Sequence, residues 1–283
     1  MIMKLLNLGC GQRFHKDWTN LDFSSNNENV ISCNLLKGIP FGDNEFNVVY
    51  HSHLLEHFSK NQGENFMKEC YRVLKPEGIL RIAVPDLEQI VKEYLNILNR
   101  IDNNDLQADD DYNWIMLEIY DQAVRNNSGG MMGEYIYQPR MPNEEFVYKR
   151  IGQEGKNLRT AYLNSINNNA ETSIKNKALF GKIKNIFSKD YYFEKLIKFL
   201  NKEKYQQNKH YLSIGQFRES GEIHQWMYDR FSVNKLLRNI GFKNIIQRNA
   251  FNSYVENWTS YFLDSLPDGS VRKPDSFFME AIK

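Results

Sequence analysis

The feature that most restricts how this chain folds is a rhythm over residues 1–95: short apolar runs end at glycine or proline turns and alternate with stretches of helical spacing. Leu5–Leu8 reads as a buried strand ending at Gly9-Cys10-Gly11. Trp18–Phe23 and Val30–Ser32 read as the next two strands, and Phe46-Asn47-Val48-Val49-Tyr50 as a fourth after the turn Pro40–Asn44. Phe66–Leu74 has helical spacing and stops at Lys75-Pro76-Glu77-Gly78, before a strand at Ile79–Val84 closed by Pro85-Asp86. Leu87–Ile101 carries apolar residues at helical intervals. Such alternation predicts an α/β fold with a doubly wound, mostly parallel, Rossmann-like sheet. The rhythm returns near Ser232 with a helix over Val233–Ile240, capped by Ser232 and closed by Gly241. Strands at Asn244–Gln247 and Ser276–Ile282 follow.

The intervening stretch is different. Polar runs such as Asp109-Asp110-Asp111 and Asn167-Asn168-Asn169 interrupt amphipathic segments at Trp114–Val124 and Tyr191–Leu200. It reads as an α-helical insertion placed before the last helix and strands, with a mobile tip expected near residues 165–190. Three regions follow: a ligand-binding α/β core over 1–101, a helical insertion or lid over 102–222, and a completion of the core over 223–283.

Composition narrows the function. Hydrophobic residues make up 41% and aromatics 13%, enough for a sizeable core. A formal net charge of +1 supplies no long-range field for nucleic acid, so no nucleic-acid partner is expected. Cys10, Cys33 and Cys70 form no CxxC pair, which argues against a disulfide framework and a structural zinc site and fits a reducing cytoplasm. The apolar run Met1–Leu6 leads straight into the glycine turn and reads as a first strand, not a signal peptide. No apolar window is long enough for a membrane span. Oligomeric state leaves no trace in the pattern.

Gly9-x-Gly11 after a buried strand lets the backbone turn sharply and approach a ligand. Asp22, at the end of the second strand, can accept hydrogen bonds from the ribose hydroxyls of a nucleoside. It lies thirteen residues past Gly9, and the third glycine of the dinucleotide fingerprint is missing. Dinucleotide binding, and with it a nucleotide-sugar oxidoreductase, is therefore disfavoured. The first crossover must be a loop or a single turn.

Four motifs then occur in order: Leu6-Asn7-Leu8-Gly9-Cys10-Gly11; Pro40-Phe41-x-Asp43-x-x-Phe46-x-Val48-Val49-Tyr50; Leu54-Leu55-Glu56-His57; and Arg72-Val73-Leu74-Lys75-Pro76-x-Gly78-x-Leu80. Together they resemble the class I S-adenosylmethionine-dependent methyltransferases of the type 11 group, over roughly residues 4–95 and again at 222–247. The resemblance implies S-adenosylmethionine as cofactor. It places Asn7, Gly9, Cys10 and Gly11 in the first motif, with the glycine turn passing beneath the methionine moiety, and Asp22 on the ribose. Asn34 and Leu35 would stand beside the adenine, and His51 and Ser52 on the methionine and sulfonium side. The sequence departs from many class I enzymes in having Asn7 and Asn34 where acids are common. An amide carbonyl still accepts from the adenine amino group.

His51, His53 and His57 invite a metal reading, but their spacing crosses a strand-to-helix junction and no metal site is expected. His57 reads as structural and His53 as a substrate-side residue. In Gly221-Glu222-Ile223-His224-Gln225-Trp226-Met227-Tyr228-Asp229, His224 is a candidate general base and Trp226 and Tyr228 a candidate aromatic wall. This stretch resembles a signature of type 11-like enzymes associated with polysaccharide biosynthesis. Asp86, at a strand tip, is a further catalytic candidate. The combined expectation is methyl transfer to an oxygen of a saccharide or other small metabolite. The alternatives are N- or C-methylation on the same cofactor site, and a non-catalytic module binding a partner through the insertion.

Overall fold

Seven strands form one sheet in the order β3-β2-β1-β4-β5-β7-β6. They are β1 (Leu5–Leu8), β2 (Thr19–Asp22), β3 (Val30–Ser32), β4 (Phe46–Ser52), β5 (Leu74–Pro85), β6 (Lys243–Arg248) and β7 (Ser276–Ile282). The first five are parallel, and β7 enters antiparallel between β5 and β6. The strand order reverses between β1 and β4, where Leu8 pairs with His51. That switch point opens a crevice beyond the carboxyl ends of the strands, the position where open α/β sheets take their ligands. The computed structural model describes residues 3–171 and 202–283. The stretch Tyr191–Leu200 and most of the expected tip at 165–190 lie outside them.

The sequence boundaries hold with informative shifts. No helix forms between β1 and β2, as the short spacing requires. Helix α1 (Lys60–Val73) starts a turn and a half before Phe66, because Ser59 and Gln62 build a reciprocal capping box. Helix α2 spans Leu87–Asp102. Among the described residues, four helices lie between it and residue 222: α3 (Ala108–Val124), α4 (Gly130–Ile136), α5 (Glu144–Glu171) and α6 (Lys202–Arg218). Helix α7 (Arg230–Ile240) is capped by Asp229, and Ser232, read as the cap, is instead the third helical residue that closes the box.

The sheet buries both faces. Leu6, Leu8, Val49, Ile82 and Val84 pack against Phe66, Met67, Val233 and Leu237 from α1 and α7. On the opposite face Leu5, Val48 and Tyr50 meet Trp18, Trp258 and Leu263. Beside this second cluster Arg81 is fully buried, 2.7 Å from Asp264 and 2.8 Å from Glu280, with its guanidinium 4.3 Å from the Trp258 ring centre. Glu280 also accepts from Arg248 at 2.9 Å. This network fastens the irregular segment after β6 to the sheet, because a charge so buried is tolerable only with its partners in place.

Candidate functional site

The loop after β1 is held in a fixed shape from three sides. Gly9 and Gly11 take φ values of +63° and +53°, a region that side chains with a Cβ enter at a cost. The Cys10 amide donates to the Leu21 carbonyl at 3.0 Å, and the Gly11 amide donates to Asp22 Oδ2 at 2.6 Å. Behind the loop the buried Asn7 amide donates to Asn20 Oδ1 and to the Arg13 carbonyl, both at 3.1 Å. Asn7 thus organises the loop through its two N–H groups, a task no carboxylate performs.

Two cavities open on this loop. The first, about 400 Å³, is lined by Asn7, Gly9, Cys10, Gly11, Ser52 and His53, with Arg13, Arg272 and Lys273 on its cationic side. The second, about 390 Å³, is lined by Gly9, Asp22, Asn34, Leu35, His53 and His57. Gly9 and His53 are common to both, so the two form one trough over the glycine turn. Asn34 Oδ1 also caps the turn at Leu35–Lys37 by accepting from the Leu36 amide at 3.0 Å. The Cys10 thiol is pushed up to about 12 by burial and, secondarily, by Asp22, so it is neutral and no nucleophile.

His51 does not join this group. It is fully buried, lines neither cavity, and meets Phe66 edge to face at 5.2 Å. Alternation along β4 explains the correction: Val48, Tyr50 and Ser52 share one face, while Val49 and His51 face α1. Both ring nitrogens lack a hydrogen-bond partner, and burial depresses the imidazole to about 3.

A third cavity of about 360 Å³ lies between the sheet edge and helices α3 to α5. His53, Gln122, Arg125, Ser128, Glu154, Lys273 and Asp275 supply its polar wall. It shares His53, Glu154, Leu158 and Lys273 with the first cavity. Gly152 makes this possible: with φ +65° it kinks α5, and a Cβ there would meet Pro274 Cδ at 2.6 Å. The kink lets α5 lie across the turn carrying Arg272 and Lys273, where Lys273 pairs with Glu154 at 3.3 Å.

His53 stands where all three cavities meet. Its backbone is left-handed at φ +50°, an uncommon conformation that concentrates at functional positions. Its Nε2 lies 2.7 Å from Ser276 Oγ and its Nδ1 lies 3.3 Å from Glu56 Oε1. Burial, then Lys273 and Arg272, hold the imidazole well below its usual range, so it is neutral. Burial pushes the Glu56 carboxyl up to about 8 and the Asp275 carboxyl up to about 6.

The other catalytic candidates sit elsewhere. His224 is 5% exposed, lines none of the three cavities, and packs edge to face on His57 at 4.9 Å. Burial and the neighbouring His57 keep it well below its usual range. Asp86 caps α2 by accepting from the Gln89 amide at 3.1 Å, and lines a separate cavity with Lys92 and Arg230. The expected aromatic wall is absent from the trough: Tyr228 is in the core, and Trp226 is outside, under Lys60 Nζ at 5.2 Å. Residues 224–227 belong to no helix or strand, and the Gln225 and Trp226 amides both donate to the Glu56 carbonyl, which ties this strap to the turn after β4.

Sequence reasoning missed Arg272, Lys273 and Asp275, since Pro267–Asp275 reads as a turn. Arg272 donates to Ser52 Oγ at 3.2 Å and to the Leu263 carbonyl at 2.8 Å. The paired basic residues before Pro274 were the available signal. No helix among the described residues is long and apolar enough to cross a membrane.

Comparison with known proteins bears on this geometry. Residues 6–82 match the family model of a methyltransferase domain of type 11. No curated protein matches the chain. Among solved structures, a SAM-dependent methyltransferase from Archaeoglobus fulgidus is 10% identical with a TM-score of 0.36, over 99% of this chain and 86% of that one. One from Thermotoga maritima is 12% identical with a TM-score of 0.39, over 99% and 82%. The Burkholderia thailandensis 1,6-didemethyltoxoflavin-N1-methyltransferase, solved with S-adenosylhomocysteine, is 17% identical with a TM-score of 0.26, over 30% and 45%. This chain therefore spans less than half the length of that enzyme. The glycine loop, Asp22, β4 and most of β5 all fall within the matched segment. Residues 6–82, which carry the glycine loop and Asp22, are thus similar to a methyltransferase domain.

Proposed function

We propose that this chain transfers the methyl group of S-adenosylmethionine to a hydroxyl of a saccharide or related small metabolite, held in the third cavity beneath α3 to α5. The observation that carries this reading is the position of His53 at the junction of all three cavities. The trough fits the cofactor: its floor is glycine at the point of closest approach, no protein atom lies within 4 Å of where a Gly11 Cβ would stand, and Asp22 borders one end. Asp22 would accept from the ribose hydroxyls, Asn34 and Leu35 would flank the adenine, and Arg272 and Lys273 would hold the methionine carboxylate.

When bound, the cofactor supplies a methyl group already activated by its sulfonium. The protein has two tasks left, alignment and proton removal. His53 is suited to the second, being neutral, fixed in orientation between Ser276 and Glu56, and facing the acceptor cavity. The imidazole accepts the hydroxyl proton at Nε2 as Ser276 gives way. His224 and Asp86 would act at most through other residues, His224 by packing on His57 and Asp86 by capping α2. Helices α3 to α5 serve as the lid, and Gln122, Arg125, Ser128 and Glu154 offer the donors and acceptors that a sugar needs. The signature at 224–229 supports a saccharide, and three free cysteines fit a cytoplasmic setting.

Calorimetric titration with S-adenosylmethionine and S-adenosylhomocysteine tests the cofactor site. Micromolar binding, about −8 kcal/mol, is expected for the unmodified chain and its loss for Asp22→Ala. A screen of glycan acceptors then follows, with His53→Asn expected to lower turnover about 10²–10⁴-fold. No binding at millimolar ligand would overturn the reading and favour a non-catalytic module.

A further inference from the structure

We propose that Glu56, His57 and His224 form a binding site for one divalent transition-metal ion of the zinc class. The proposal rests on side-chain geometry and not on the methyl-transfer reading. Each of the three residues offers one ligand atom, and these atoms all lie within 4.8 Å of one another. Two imidazole nitrogens and a carboxylate oxygen are the donor set that borderline cations such as Zn(II), Co(II) and Fe(II) prefer over Mg(II) or Ca(II).

Hydrogen bonding at the cluster is incomplete in a way an ion would complete. Glu56 is 1% exposed; its Oε2 has no hydrogen-bond partner, and its Oε1 has only the His53 Nδ1 contact at 3.3 Å. His224 is 5% exposed, and its Nδ1 also lacks one. Buried polar atoms without partners are uncommon and costly, and two of them, Glu56 Oε2 and His224 Nδ1, converge here. By contrast His57 Nδ1 lies 3.2 Å from the Ile223 carbonyl. A hydrogen bond there places the proton on Nδ1 and leaves Nε2 as the lone-pair nitrogen, the arrangement that orients metal-bound histidines. His53 Nδ1, 3.3 Å from Glu56 Oε1, is placed to steady the ligand carboxylate in the same manner.

Four-coordinate zinc with bonds of about 2.0–2.1 Å holds its ligands roughly 3.3 Å apart, so closure needs adjustments of only about 1 Å. His57 lines the second cavity, which gives the ion an entry path and a source for a fourth, solvent ligand. The three ligands come from two distant parts of the chain: the turn after β4 and the strap returning from the insertion. The ion would fasten the strap, where the Gln225 amide already donates to the Glu56 carbonyl at 2.8 Å, against the wall of the trough.

The test uses the full chain, stripped with a chelator and titrated with Zn(II) or Co(II) in the absence of cofactor. One ion per chain at micromolar affinity or tighter is expected, with the visible d–d spectrum of low-coordinate Co(II) bound by nitrogen and oxygen. Zn(II) should raise the melting temperature with the concentration dependence of a bound ligand. His224→Asn and His57→Asn should each weaken binding by about a hundredfold or more. Absence of a Co(II) spectrum in the folded unmodified chain at millimolar metal overturns the proposal, whatever the variants do. Binding that both variants leave unchanged overturns it equally. Asp22→Ala should keep the Co(II) spectrum while losing S-adenosylmethionine, so the two sites fail independently.

Discussion

Gly9→Ala and Gly11→Ala look alike in sequence and should behave differently. Both residues have positive φ, so an alanine at either costs about 1–2 kcal/mol of backbone strain. At Gly11 nothing else is added, because no atom lies within 4 Å of the new Cβ. At Gly9 the Cβ would stand 2.8 and 2.9 Å from the two terminal methyls of Leu54. Overlap of that kind typically adds about 1–3 kcal/mol. The expected losses are therefore about 1–2 kcal/mol for Gly11→Ala and about 2–5 kcal/mol for Gly9→Ala. At roughly 2–4 °C per kcal/mol for a chain of this size, they correspond to melting shifts of about 2–8 °C and about 4–20 °C. Thermal or urea denaturation, combined with a cycle through Leu54→Ala, isolates the overlap. In the Leu54→Ala background Gly9→Ala should cost only its backbone strain, a coupling of about 1–3 kcal/mol. Coupling below about 0.5 kcal/mol would refute the reasoning. Both alanines should weaken S-adenosylmethionine by protruding into the trough, and Gly11→Ala should do so with the smaller effect on stability.

Three other outcomes are expected. Arg81→Met leaves Asp264 buried beside Tyr50 without its cation, and should cost about 3–5 kcal/mol in denaturation, with part of the loss recovered by adding Asp264→Asn. His51, held at about 3 when folded and near 6.5 when unfolded, is protonated first in the unfolded chain as the pH falls, so its contribution is complete above pH 6.5 and lost between there and about 3. It should account for about 2–3 kcal/mol of the loss between pH 6.5 and 4.5, and His51→Leu should flatten that slope in pH-dependent denaturation. Gly152→Ala should drive α5 off the turn at Pro274, raising the acceptor KM more than it changes S-adenosylmethionine affinity in calorimetry.

The core was legible because its signals are local. A glycine pair after a buried strand, an acid at the next strand end, and a Pro-Glu-Gly stop each fix a backbone event within a few residues. The extent of the strand Ser276–Ile282 was legible for the same reason. His51 and Ser52 are adjacent in sequence, yet period-two alternation along β4 turns them to opposite faces of the sheet. What local patterns could not supply was juxtaposition. Arg272 reaches Ser52 across two hundred and twenty positions, and His224 reaches His57 only because the insertion returns as a strap. Asp86 shows the opposite trap: a strand-tip acid suits catalysis and helix capping equally, and the following helix takes it.

The antiparallel entry of β7 also sets the order in which the protein can be made. Ile79 pairs with Ile282, roughly two hundred residues further on, and everything between must leave the ribosome before that edge of β5 is covered. Until then the largely apolar stretch Ile79–Pro85 presents an unpaired margin to other nascent chains. Yield in the cell should accordingly depend on chaperone supply more steeply than the stability of the finished fold would suggest.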